Sequence, residues 1–144
     1  MPQESKLLQL ITEQIDVENE YVECLTKLRK KVVIAAARLL LLEMCLDSEK
    51  RAAILAEMRG ILRKAPPNTS LWEHALEGYV GEALMKKEFQ QYVKKESDTL
   101  ECLKKELMHT KDEGLKLLWQ NIEEDEKKHA RIIQTIIKNL YKID

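Results

Sequence analysis

Apolar residues recur every three or four positions along most of the chain. In "LKLLWQNIEEDEKKHARIIQTIIKNL", residues 115–140, this spacing places one stripe of side chains on one face of a helix. The pattern predicts four helices, over about 4–30, about 34–63, a third that ends near 109, and about 111–141. The chain is therefore expected to be all-α.

The clearest break between helices is "RKAPPNTS", residues 63–70. Pro66 and Pro67 end a helix, and Ser70 with Glu73 has the pattern of a capping box for the next one. A long crossover is predicted over 64–81, with a helical piece from 71, although one unbroken helix over 71–109 fits the same residues.

The boundary between the first two helices contains neither glycine nor proline, and it is predicted from an internal repeat. A shift of 78 residues aligns 13–56 with 91–134 and gives eleven identities. A turn predicted at Thr110–Gly114, where Thr110 and Glu113 have the capping-box pattern, then aligns with Val32–Ala36.

The chain thus has the pattern of two copies of a helical hairpin, one over 4–63 and one over 82–142. Two such hairpins bury their stripes most simply against each other, as a four-helix bundle with a long crossover.

Polar side chains interrupt each apolar stripe at mid-height. The stripe of the second helix is predicted to include Met44, Ser48 and Arg51. The polar positions, helix by helix, are Glu18; Ser48 and Arg51; Glu96; and Glu126 and His129. Because they correspond under the 78-residue shift, they are expected to converge in the core. Each buried carboxylate lowers the stability of the fold by several kcal/mol unless a counter-charge, metal, proton or water compensates it.

These residues resemble a known ligand set. One Glu from each of two helices, plus Glu-x-x-His from each of the other two, is the plan of the ferritin-like di-iron carboxylate proteins. "EEDEKKHARII" resembles the fourth helix of rubrerythrin-like members. The resemblance implies one ferritin-like domain over 1–144, with Glu18, Glu96, Glu126 and His129 as metal ligands.

The second helix departs from this plan. Ser48 stands where a bridging glutamate belongs, and Arg51 stands where a histidine belongs. Two of six ligands are lost, so a working di-iron oxidase or peroxidase is not expected, and no catalytic residue is assigned. Tyr92, one turn before Glu96, is a candidate hydrogen-bond donor behind the ligands, or packs with its hydroxyl at the edge.

Two functions stay open. In the first, a residual site binds at most one Fe, Mn or Zn ion and serves metal or oxidative-stress handling. In the alternative, the Arg51 guanidinium replaces the metal and the chain is a metal-free structural or interaction module. Arg51 is predicted to form an ion pair with Glu18 or Glu126, which leaves no metal beside Glu18.

Composition narrows the partners. The chain has 24 basic and 25 acidic residues and a pI near 6.3, so its total charge attracts neither nucleic acid nor an anionic membrane. The N-terminus lacks the pattern of a signal peptide. Three cysteines without a CxxC pair suit a reducing compartment and are expected to pack as small hydrophobes. A cytoplasmic protein is predicted, with a homodimer as a candidate assembly.

Overall fold

The computed structural model describes residues 5–66, 70–74 and 82–140. Within them the chain forms four α-helices: α1 (Lys6–Lys31), α2 (Ala35–Lys64), α3 (Glu82–Leu107) and α4 (Glu113–Leu140). The prediction of an all-α chain is confirmed. The chain divides into two compact units, Met1–Thr69 and Ser70–Asp144, each of which contains one pair of helices.

The first unit is a long hairpin of α1 and α2. The Ser5 side chain caps α1 by accepting a hydrogen bond from the Leu8 amide at 3.2 Å. The chain reverses at Val32–Ile34, inside the predicted segment, with extended backbone at both Val32 and Ile34. Three consecutive β-branched residues, which are poor helix formers, take the place of glycine or proline here.

The C-terminus of α1 is capped by a side chain from the other helix. The Val32 amide donates to the Leu28 carbonyl at 3.2 Å. The Arg38 guanidinium donates to the carbonyls of Lys30 and Val32, which would otherwise lack a partner at the helix end. This cap links the first turn of α2 to the last turn of α1.

Helix α2 ends where the prolines predict. Ala65 is extended, as expected for a residue before proline, and its amide donates to the Ile61 carbonyl at 2.9 Å. Ser70 then closes a turn, since its hydroxyl accepts from the Trp72 amide at 3.2 Å. The predicted helical piece of the crossover, and the alternative of one helix over 71–109, fall partly on residues 75–81, outside the described residues.

The N-cap of α4 differs from the prediction. Asp112, not Thr110, is the capping residue, because its carboxylate accepts from the Leu115 amide at 3.0 Å. A carboxylate also interacts favourably with the helix dipole, which a threonine hydroxyl does to a smaller extent. Thr110 closes the preceding turn instead, by accepting from the Asp112 amide at 3.2 Å.

The stripe of α2 that packs inward is rotated relative to the predicted one. Its buried residues are Cys45, Ser48 and Ala52, whereas Met44 and Arg51 are exposed. All three buried side chains are small, so the helices can approach closely along this stripe. The predicted stripe contains Ser48, which is buried, but also Met44 and Arg51, each of which lies one residue before a small buried residue.

The two hairpins have the same internal register. Helix α4 begins at Glu113, 78 residues after α2 begins at Ala35. In the first hairpin the Thr26 hydroxyl lies 3.6 Å from the Cys45 sulfur, and in the second the Lys104 ammonium lies 3.6 Å from the Glu123 carboxylate. Lys104 and Glu123 are the repeat equivalents of Thr26 and Cys45, so equivalent positions meet in both hairpins.

Within the described residues, no helix combines the length and the apolar character needed to cross a bilayer.

Candidate functional site

Glu18 is a buried carboxylate between α1 and α2. Only 5% of it is exposed, although most acidic residues of α1, including Glu13, Asp16 and Glu20, face solvent. Its Oε1 accepts a hydrogen bond from the Gln14 side-chain amide at 3.1 Å. Its Oε2 is buried and has no hydrogen-bond partner among the described residues. Half of this carboxylate therefore lacks a partner within the described part of the chain.

The register of the hairpin defines what lies opposite Glu18. The Arg59 guanidinium donates to the Thr12 hydroxyl at 3.1 Å, and the Thr26–Cys45 contact lies nearer the turn. From the register that these two contacts set, we infer that Glu18 is level with Ala52 and Ala53 on the antiparallel helix. Small side chains at this level leave room for the carboxylate in the helix interface.

Ser48 and Arg51 occupy the two positions where the ferritin-like plan has other residues. Ser48 is buried, with 4% exposed, and lies about one turn from the level of Glu18. Arg51 is exposed. One of the two predicted pairings, Arg51 with Glu18, is absent among the described residues, where Glu18 Oε2 has no partner and Arg51 is exposed. The pairing of Arg51 with Glu126 stays a prediction.

Glu126 and His129 lie one turn apart on α4, but differ in burial. Glu126 is half-buried, on the stripe that also contains Trp119 and Ile133. His129 is exposed, like its repeat equivalent Arg51, and it takes part in an interaction. The predicted stripe position of His129 is therefore at the edge of the buried face of α4.

Glu96 lies on α3, but its side chain is outside the part of the chain that the structure describes. Tyr92, one turn earlier, is exposed. Among the described residues, no three His, Cys, Asp or Glu side chains are close enough to hold a metal together. Because the Glu96 side chain is not among the described residues, the convergence of the four candidate ligands stays a prediction.

Sequence reasoning missed the partner of Glu18. Gln14 precedes Glu18 by one turn, a spacing at which helical side chains meet, so the pair was visible in the sequence. It also placed all three cysteines in the core, whereas Cys45 is buried and Cys24 and Cys102 are exposed.

The described residues form an all-helical protein built on two pairs of helices, and the one buried carboxylate among them is that of Glu18. No family model, curated protein or solved structure matches the chain, so no family is assigned.

Proposed function

We propose that this protein is a ferritin-like metal-binding protein that holds at most one Fe, Mn or Zn ion, with Glu18, Glu96, Glu126 and His129 as its candidate ligands. The observation that supports the proposal is the Glu18 carboxylate, which is 5% exposed and whose Oε2 has no partner among the described residues. Burial of a charge without a partner is unfavourable, and a bound cation compensates it.

The donor set fits this range of metals. Carboxylate oxygens combined with one imidazole nitrogen are ligands for Fe(II), Mn(II) and Zn(II). The exposed position of Arg51 favours a bound ion over its guanidinium as the cation beside Glu18. Ser48 supplies no carboxylate, which limits the proposal to one ion.

The experiment is metal analysis of the full chain purified without chelator, with iron, manganese and zinc counted per chain. The test variants are Glu18→Gln, Glu126→Gln and His129→Asn. Their matched controls are Glu20→Gln and Glu124→Gln, exposed acids on the same helices, and His109→Asn, an exposed histidine. Metal content is expected to fall severalfold in the three test variants and to stay at the wild-type level in the controls.

Two results contradict the proposal. One is wild-type protein that carries no iron, manganese or zinc and gains no thermal stability when any of the three is added. The other is metal that is retained in all three test variants, since the ion would then be held elsewhere.

A second candidate function, a metal-free interaction module, is favoured by a different observation. One face of α1 carries an exposed apolar stripe, with spacings of three, four and seven residues. Its large members are Leu7, Leu10, Val17, Tyr21 and Leu28. Such a heptad-like stripe suits packing against a helix of a second copy. Sedimentation of the wild-type protein tests this candidate, which a strictly monomeric chain contradicts.

A further inference from the structure

The turn between α1 and α2 presents two apolar side chains to solvent. Val33 is 88% exposed and Ile34 is 68% exposed. Helix α1 ends at Lys31 and α2 begins at Ala35, so both side chains lie beyond the helix ends, at one end of the hairpin. Side chains this exposed contribute little to the packing of α1 against α2.

The same turn concentrates positive charge. Residues 24–42 contain five lysines and arginines and no acidic residue, although the whole chain has a net charge of −1. We call residues 29–38 the cationic tip; its charged members are Arg29, Lys30, Lys31 and Arg38. Among the described residues, none of these four forms an ion pair with a carboxylate, whereas Lys27 pairs with Glu23 at 3.4 Å. The cationic tip is therefore unneutralised.

The second hairpin shows that hairpin geometry does not require this composition. Its equivalent segment, residues 102–120, has four lysines and three acidic residues. Its turn carries Asp112, whose carboxylate caps α4, and one exposed large apolar residue, Met108. Of the two hairpins, only the first combines two exposed apolar residues at its turn, Val33 and Ile34, with unneutralised cations.

Helix capping explains part of the charge at the cationic tip. Cations in the last turn of α1 stabilise the helix dipole, and Arg38 caps two carbonyls. Capping does not explain the exposure of Val33 and Ile34. It also leaves the Arg29 Nε buried and, among the described residues, without a hydrogen-bond partner. This atom lies beside a groove of about 180 Å³ lined by Thr26, Arg29, Lys30 and Arg38.

We propose that the cationic tip docks on the surface of an anionic lipid bilayer. Val33 and Ile34 enter the boundary between headgroups and acyl chains, and the cations behind them bind the anionic headgroups. An anionic bilayer has this layered chemistry, with apolar material directly beneath negative charge. The apolar apex and the cations behind it match that order better than they match the mixed surface of an acidic protein.

The experiment is cosedimentation of the full chain with vesicles of mixed phosphatidylserine and phosphatidylcholine, compared with vesicles of phosphatidylcholine alone. The variants are Val33→Ser with Ile34→Ser, and Lys30→Gln with Lys31→Gln. The matched control is Met108→Ser in the turn of the second hairpin. Because all these side chains are exposed, circular dichroism is expected to show unchanged helix content.

Wild-type protein and the Met108→Ser control are expected to bind the anionic vesicles and to be released at high salt. Each double variant is expected to bind at least tenfold more weakly. A Val33→Trp variant with vesicles of brominated lipid adds a direct readout, since tryptophan fluorescence from the inserted tip is expected to be quenched.

Three outcomes overturn the proposal. If the wild-type protein does not cosediment with anionic vesicles, a lipid surface is excluded as the partner. Binding that survives in both double variants places the contact elsewhere. A wild-type dimer in solution that Val33→Ser with Ile34→Ser dissociates, without vesicle binding, identifies the tip as a contact between copies of the chain.

Discussion

Glu18 differs from the other acidic residues of α1 in what surrounds it. Its carboxylate has one hydrogen bond, from Gln14, and one buried oxygen without a partner among the described residues. Ser48, which is equally buried one turn away on α2, is an uncharged hydroxyl and cannot neutralise it. The stability of the first hairpin should therefore depend on what binds to Oε2 of Glu18.

Replacement of Glu18 by glutamine should have opposite effects with and without metal. In chelator, Glu18→Gln is expected to raise the free energy of unfolding by about 1 kcal/mol, because it removes a buried charge and keeps the oxygen that Gln14 contacts. Urea titration measures this change. With added metal, the same variant is expected to lose the stabilisation that the wild type gains.

Glu20→Gln is the control for this measurement, since Glu20 is exposed and its substitution should change the unfolding free energy by less than about 0.5 kcal/mol. A Glu18→Gln variant that is less stable than the wild type in chelator would show that the carboxylate already has a partner.

At the scale of the helices, the sequence predicted where helices end better than it predicted which face of α2 is buried. Helix α2 ends at Lys64 because Pro66 restricts Ala65, and that signal is plain in the sequence. The reversal at Val32–Ile34 has no glycine or proline, and only the internal repeat located it. Local propensity alone could not, since the Arg38 cap that stabilises this turn depends on contact between two helices.

The buried stripe of α2 was predicted one residue off at Met44 and Arg51, because counting in steps of three and four did not separate them from their small neighbours Cys45 and Ala52. Packing of two helices at close distance favours small residues at the interface, and Cys45, Ser48 and Ala52 fill that role. For this reason Arg51 was expected on the buried stripe of α2 but is exposed. Glu18 is buried as expected, because Ile11 and Ile15 mark the buried face of α1.

The helix caps give a prediction for the second hairpin. Asp112→Ala is expected to lower the free energy of unfolding by about 1 kcal/mol, because it removes both an amide acceptor and a negative charge at the start of α4. Thermal or urea unfolding of the full chain, followed by circular dichroism, measures the loss.

Thr110→Ala is the matched variant, two residues earlier in the same turn, and is expected to cost less than Asp112→Ala because Thr110 bonds only the turn. An equal or larger loss from Thr110→Ala would restore threonine as the effective cap of α4.

At the scale of the whole molecule, averages conceal local features. The nearly balanced total of 24 basic and 25 acidic residues led to the expectation of no membrane partner, yet the cationic tip carries four cations and no acid. Likewise, 44% hydrophobic content does not show that many large apolar side chains are exposed, among them the stripe on α1. Surface properties depend on which faces the helices leave uncovered.

The stripe on α1 gives a prediction about assembly. If a second copy covers it, the melting temperature of the wild-type protein is expected to rise with protein concentration, because association stabilises the folded state. Leu10→Asp with Tyr21→Asp should abolish this dependence and give a monomer in sedimentation velocity.

Leu46→Asp, at an exposed apolar position of α2 outside the stripe, should leave assembly unchanged. A wild-type melting temperature that is constant over a wide concentration range would exclude association through this face.

The different positions of the cysteines have a kinetic consequence. Cys24 and Cys102 are exposed, whereas Cys45 is buried at the contact with Thr26, between α1 and α2. A thiol reagent will modify Cys24 and Cys102 at once, and will reach Cys45 only when the first hairpin opens. The second hairpin has Glu123, which carries no thiol, at the position equivalent to Cys45. The rate at which Cys45 is modified therefore reports how often the first hairpin opens.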